Sequence, residues 1–137
     1  MSLLIIPNSG KRIHLIYQTQ YGQTPNFSIK LFQNNVTVSS ITVLADLVEA
    51  TFSGYSSPLL SGQVIEESLD GFSRAVSVWN PATWTKSGAS ANTIYGYYVC
   101  LPGPALMWVE KFDTPIPMTT DGAYLVITPR LTFTSQY

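Results

Sequence analysis

Ionisable side chains are scarce in this chain: charged residues make up 11% of it and there is one histidine and one cysteine, where an ordinary domain carries about 25% charged residues. The usual groups for acid/base chemistry and metal binding are therefore thin on the ground. Seven Lys and Arg against eight Asp and Glu leave a formal net charge of −1, with no cationic cluster of the kind that neutralises phosphates, so no nucleic-acid partner is expected. The lone Cys100 excludes a disulfide within the chain. Its place in the run Tyr97-Tyr98-Val99-Cys100-Leu101, with no neighbouring Lys, Arg or His to activate it, suits a small buried hydrophobe. Long apolar runs are missing too. Leu3-Leu4-Ile5-Ile6 stops at Pro7, well short of the ~18 residues that span a bilayer and of a secretory core. No membrane partner is expected, and the product is read as soluble and made in the cytoplasm.

What the chain does contain is enough apolar matter for a core. A chain near 150 residues buries roughly 68–70% of the surface its unfolded form exposes, and here 45% of the 137 residues are hydrophobic. Nine Gly and nine Pro divide the sequence into short runs. Those runs are rich in Val, Ile, Thr, Tyr and Phe and alternate with period two, the mark of strands. Strands are expected at Ile13 to Tyr17, Phe27 to Phe32, about Tyr55 to Leu60, Phe72 to Trp79, Tyr95 to Leu101, Leu106 to Phe112, Tyr124 to Thr128 and Arg130 to Thr134. Both faces of the Tyr95 run are apolar enough to be covered, whereas Leu106, Trp108 and Phe112 are expected on one face with Glu110 as the discordant member. Asp70-Gly71, Pro102-Gly103-Pro104 and Asp121-Gly122 supply turns, and Pro129, lacking an N–H, marks an edge or a bulge.

These spacings predict an all-β fold, a β-sandwich of eight or nine strands. One helical turn is expected near residues 42–50, where Val43, Leu44, Leu47 and Val48 recur at helical spacing and Thr42 is placed to cap. Residues 1–26 differ, mixing a hydrophobic tip, a Pro7-Asn8-Ser9-Gly10 loop signal and a polar run to Pro25. They are read as an N-terminal extension or arm on a domain spanning 27–137.

Candidate chemical sites are few. His14 sits between apolar neighbours with no acid nearby in sequence, which suits a core histidine better than a ligand, since metal sites gather several donors. Glu66-Glu67-Asp70 lacks the oxygen spacing of a calcium loop and is read as a solvated loop. Glu110 and Asp113 lie among aromatics, where paired acids can mean a glycosidase or a sugar-binding cleft, but Lys111 after Glu110 makes a cross-strand ion pair or a strand-end exposure the simpler account. The Asn35-Val36-Thr37 sequon carries no weight by itself. Trp79 and Trp108 are read as core. Trp84, between Thr83 and Thr85 and beside a Ser87-Gly88-Ala89-Ser90 loop read as flexible, is the candidate contact anchor. No phosphate loop, nucleophile elbow or CxxC is present, so no catalytic residue, metal or cofactor is assigned.

The runs Leu31-Phe32-Gln33-Asn34-Asn35, Glu49-Ala50-Thr51-Phe52-Ser53-Gly54-Tyr55, Thr83-Trp84-Thr85, Tyr95-Gly96-Tyr97 and Trp108-Val109-Glu110-Lys111-Phe112 resemble those of small β-rich structural proteins of tailed-bacteriophage heads, the capsid decoration or cement proteins. The likeness covers about Phe27 to Thr134. It implies a jelly-roll-like sandwich, a homo-trimer bound to the outside of a lattice of major capsid protein, and a virion location on the capsid exterior after synthesis in a bacterial host. It supplies no catalytic or binding residues. Leu3, Leu4, Ile5 and Ile6 are then expected to form an arm that adds a strand to a neighbouring subunit or to the capsid protein. Two other readings use the same fold: a tail or fibre component, and a carbohydrate-binding module with Trp84, Tyr97 or Tyr98 as an aromatic platform.

Overall fold

A computed structural model describes residues 3–8, 10, 26–67, 74–102 and 105–134. Its elements are β1 (Leu3–Ile5), β2 (Ser28–Phe32), β3 (Val64–Glu67), β4 (Arg74–Val78), β5 (Ala82–Thr85), β6 (Asn92–Leu101), β7 (Ala105–Met118), β8 (Tyr124–Ile127) and β9 (Arg130–Thr134), with a single 3-10 turn at Leu44–Asp46. Among the described residues every strand pairing is antiparallel. The all-β expectation holds, and the described strands number nine. Among the described residues no helix is long and apolar enough to cross a membrane.

The first layer is a four-stranded sheet in the order β1-β7-β6-β2. The second consists of β3-β4-β9 and the pair β5-β8. These two smaller sheets continue one another. The pairing of β4 with β9 resumes one residue out of step as β5 with β8, because Trp79, Asn80 and Pro81 stand opposite only Thr128 and Pro129. Pro129 cannot donate, yet its carbonyl accepts the Trp79 N–H at 3.1 Å, so the proline marks a bulge as expected.

A second irregularity corrects the reading of β7. Between Val99 and Cys100 the β6–β7 register slips so that Met107 is the extra residue. Leu106 consequently faces one side of the sheet, while Met107 and Trp108 both face the other. Farther along, Phe112 to Pro115 swell out opposite Tyr95 alone. Gly96 stands at that swelling, where a Cβ would overlap the Glu110 carbonyl and the Phe32 ring; only glycine lets the strands approach this closely.

The layers enclose a core in which Phe27, Trp79 and Trp108 cluster, with the two indoles 5.5 Å apart and Phe27 edge-on to both. Ile29, Leu31, Tyr97 and Val99 from the first layer meet Trp84, Leu125, Ile127 and Leu131 from the second. The opposite face of the first layer is apolar too. There Phe32, Tyr98, Cys100, Leu106 and Val109 are covered by Val36, Val38, Leu44 and Leu47 from the β2–β3 connection.

That connection departs from expectation in several ways. The helical turn has contracted to three residues, and Thr42 does not cap it: the Thr42 hydroxyl accepts from the Ser39 N–H at 2.8 Å, while the Asp46 carboxylate accepts from the Val43 N–H at 3.0 Å. Tyr55 to Leu60 is not a regular strand and keeps only an isolated bridge at Leu59. The reason is its double duty. The chain from Val48 to Ser61 bonds alternately to β2, to the loop after β5 and to Asn80, stitching the two layers along one side. Glu66 and Glu67, read as loop, lie in β3. The strand expected at Ile13 to Tyr17 and the residues His14 and Asp70 fall outside the described residues.

Candidate functional site

The four hydrophobic residues at the N-terminus are laid on the sheet of their own chain. Leu3, Leu4 and Ile5 pair with Lys111, Glu110 and Val109 of β7. Alternation sends Leu4 toward the inter-layer core and Ile5 toward the outer cluster, with Ile6 also packed against the inter-layer core. Pro7 and Gly10 are buried, and the Asn8 N–H donates to the Ser40 carbonyl at 3.1 Å. Within the segment read as an arm, Leu3–Ile5 thus supplies the end strand of the first layer among the described residues, and Asn8 a tie to the loop above it.

Trp84 requires correction. It is 1% exposed and its indole N–H donates to the Ser56 carbonyl at 2.7 Å, so it anchors the core rather than a partner. The residues facing outward on either side are Thr83 and Thr85. Tyr97 and Tyr98 are buried as well, which leaves the expected aromatic platform without its three rings.

The titratable groups near the sheet are bonded to one another. Lys30 approaches Glu49 at 3.4 Å, the Tyr55 hydroxyl donates to the same carboxylate at 2.9 Å, and the Leu31 N–H donates to that hydroxyl at 3.3 Å. Burial is the main cause that raises the Tyr55 and Tyr98 phenols above their ordinary range, with the Glu49 charge adding to it. Burial also raises the Cys100 thiol, against a weaker opposite pull from Lys30. A thiol held protonated in this way is a poor nucleophile, in keeping with the packing role expected of it. Glu110, the discordant residue of β7, turns toward Tyr97. Burial raises that phenol, the carboxylate adds to the shift by charge and hydrogen bonding, and the buried Trp108 indole pulls weakly the other way without a well-aligned bond. Asp113 lies exposed on the swelling of β7.

At the end of the second layer Lys86 is 3% exposed. Its ammonium donates to the Asp121 carboxylate at 2.8 Å and to the Gly88 carbonyl. The Gly88 N–H donates to the same carboxylate at 3.0 Å, and Ser53 bonds both Ser87 and Ser90. The loop read as flexible is therefore pinned. Gly122 completes the expected Asp-Gly turn with φ of +87°, a conformation that favours glycine.

No family model, curated protein or solved structure matches the chain.

Among the described residues, large apolar side chains stand exposed in neighbouring pairs at two places. The tip of the β2–β3 connection exposes Ile41 and Val43, and the outer face of β8 exposes Tyr124 and Val126. In β8 the sequence Tyr-Leu-Val-Ile is apolar on both faces, so alternation by itself does not tell which face looks outward. At the tip, the available signal is a pair of β-branched residues amid Ser and Thr.

Proposed function

We propose that this chain is a structural virion protein, a decoration or cement protein that binds the outside of a major capsid lattice as a homo-trimer and stabilises it. The reading rests on the five runs that resemble phage-head proteins. The observation that supports it best is the tying of ionisable side chains into internal pairs, Lys30 with Glu49 and Lys86 with Asp121. Ser87, Ser90 and Thr120 beside the second pair face solvent. A weakly charged surface of that kind lets many copies pack side by side without strong repulsion. Each contact with the shell can be modest, because repetition over the lattice supplies the avidity.

Cryo-electron microscopy of expanded capsids mixed with the protein tests the proposal. Density on the outer shell at regular lattice positions is the expected result. Density confined to a tail would transfer the chain to the tail or fibre components, and none on either would reject a virion role. Deleting residues 1–10 is expected to lower shell occupancy. It also removes β1 from its own sheet, so melting of the deleted protein must be measured alongside. The carbohydrate-binding alternative loses its basis with the burial of Trp84, Tyr97 and Tyr98.

A further inference from the structure

Two bonds fix the direction of the main-chain groups along β8 and β9. The Lys86 N–H donates to the Ala123 carbonyl at 2.8 Å and the Trp79 N–H to the Pro129 carbonyl at 3.1 Å. Directly bonded pairs alternate with unbonded ones in an antiparallel ladder, so in the registers that continue from these bonds Trp84 with Leu125, Ala82 with Ile127, and Ser77 with Leu131 are bonded pairs. Tyr124, Val126 and Arg130 are the alternates. Their N–H and C=O groups point away from β5 and β4, toward the open side of the second layer. Among the described residues no strand lies on that side and no loop bonds to it.

Open edges invite stray strands, and proteins blunt them with charge or proline. Beyond its pairing with β1, β7 carries Asp113, Pro115 and Pro117, and β3, at the far end of the second layer, closes on Glu66 and Glu67. The outer flank of β2 is bonded to the chain between Val48 and Leu60. β8 has no such guard. Its sequence Tyr-Leu-Val-Ile keeps every N–H, with Tyr124 72% and Val126 49% exposed. Pro129 turns toward Trp79 and so removes no donor from the outer edge. Past it Arg130 stands exposed. Lys30 and Lys86 hold carboxylates and Lys111 the Asn35 side chain, whereas no acceptor engages the Arg130 guanidinium among the described residues.

We propose that the β8–β9 edge takes an extended, acid-bearing segment of a partner protein as an added antiparallel strand, bonded to the main chain of Tyr124, Val126 and Arg130 with a carboxylate on the Arg130 guanidinium. Main-chain bonding selects a polypeptide, since lipid, glycan and nucleic acid offer no ladder of amides at strand spacing. The arginine selects the charge. A second copy of β8 or β9 would not supply it. Like-facing residues pair across a ladder, and those at alternate positions of this edge are Tyr124, Val126, Thr132 and Arg130 itself. A second copy of β3 would bring Glu66 and Glu67, and the experiment below separates that occupant.

This inference stands apart from the shell reading, so its test uses no capsid. The full chain is panned against displayed random linear peptides long enough to span 124–130. Enriched sequences are expected to alternate apolar and polar residues and to place Asp or Glu at the N-terminal end, which lies opposite Arg130 in an antiparallel strand. Arg130→Glu should exchange that acid for Lys or Arg. The best peptide is then resynthesised with N-methyl groups on one alternate set of amides or the other. One set should lose affinity by at least about tenfold in fluorescence anisotropy while the other keeps it, because only one set faces β8. Bound peptide should also slow exchange of the Tyr124, Val126 and Arg130 amides. Lack of any enriched sequence, an acid preference that survives Arg130→Glu, or equal tolerance of both N-methyl sets overturns the proposal. Concentration-dependent protection of the same amides without peptide assigns the edge to a second copy and overturns it too. Circular dichroism checks folding, and Arg130→Gln, with loss of the acid preference, replaces a charge reversal that fails to fold.

Discussion

The two faces of the first sheet are buried by different means. On the inner face, strands meet strands: the β-bulged pair β4–β5 and β8–β9 brings Trp79, Trp84, Leu125, Ile127 and Leu131 down on Ile29, Leu31, Val99 and Trp108. On the outer face, an irregular connection meets strands, placing Val36, Val38, Leu44 and Leu47 on Phe32, Tyr98, Leu106 and Val109. Backbone ladders hold the first cover. The second depends on side chains. Asn34 donates to the Asp46 carbonyl at 2.8 Å and accepts from the Val48 N–H at 2.9 Å, and Gln33 donates to the Glu49 carbonyl at 2.9 Å. Asn92 of β6 reaches Gln33 at 3.1 Å and accepts from the Thr51 N–H at 2.6 Å. A sheet face can thus be shielded without a second sheet when amide side chains supply the missing ladder.

If the inner cover bears global stability, its deletion should have the largest effect. Trp84→Ala is expected to cost about 3–5 kcal/mol, since it empties a large buried volume and strips the Ser56 carbonyl of its donor. Urea unfolding monitored by circular dichroism measures it. A loss below about 1 kcal/mol would mean that the strand-on-strand side is not the main source of stability.

Leu47→Ala probes the outer cover, with an expected cost of about 2–3 kcal/mol at the lower end of the range for buried leucines. Its signature should be local. Amide exchange should accelerate from Val36 to Val48 while the β6–β7 amides keep their protection, as in a subglobal opening. Equal acceleration in both regions would show that the two covers unfold as one. Asn34→Ala should act in the same region and cost about 1 kcal/mol, because its two bonds end on exposed backbone that water can satisfy.

The contrast between the covers also explains what could be read from the sequence. Strand-on-strand burial leaves a period-two pattern, and β2, β4, β8, β9 and most of β6 are legible from it. The double burial of the Tyr95 run was legible too, since Tyr97 and Val99 face one side while Tyr98 and Cys100 face the other. The outer cover has no period. Its residues are placed by Asn34, Ser39, Thr42 and Asp46, whose side chains bond backbone several residues away, and a pattern of hydrophobicity does not register such bonds. Simple alternation puts Leu106 on the wrong face because the extra residue Met107 reverses it. β3 and β5 leave little local signal, since Glu66 and Glu67 close the first and Ala82, Thr83 and Thr85 surround one aromatic in the second, and pairing with β4 and β8 outweighs that weak preference. The polar neighbours of Trp84 suggest a surface anchor, although Thr-Trp-Thr is itself a strand alternation with the indole inward.

The smallest effect expected concerns the pinned end of the inner cover and separates the covers by acidity. Asp121 has its carboxyl below the ordinary range because the Lys86 ammonium and the Gly88 N–H donate to it, with the ammonium charge adding to the shift. A carboxyl lowered on folding contributes stability above its unfolded pKa, and that contribution is lost as pH falls through the folded value. The unaltered protein and Asp121→Asn should therefore differ most in melting temperature near neutrality and converge toward about pH 2. The carboxylate faces solvent, so the gap should be small and narrow further in salt. Exchange of the amides around Gly88 and Gly122 should quicken in the variant, leaving the Val36 to Val48 amides unchanged. A parallel response in that outer segment would show that the two covers, attached to opposite faces of one sheet, are coupled through it.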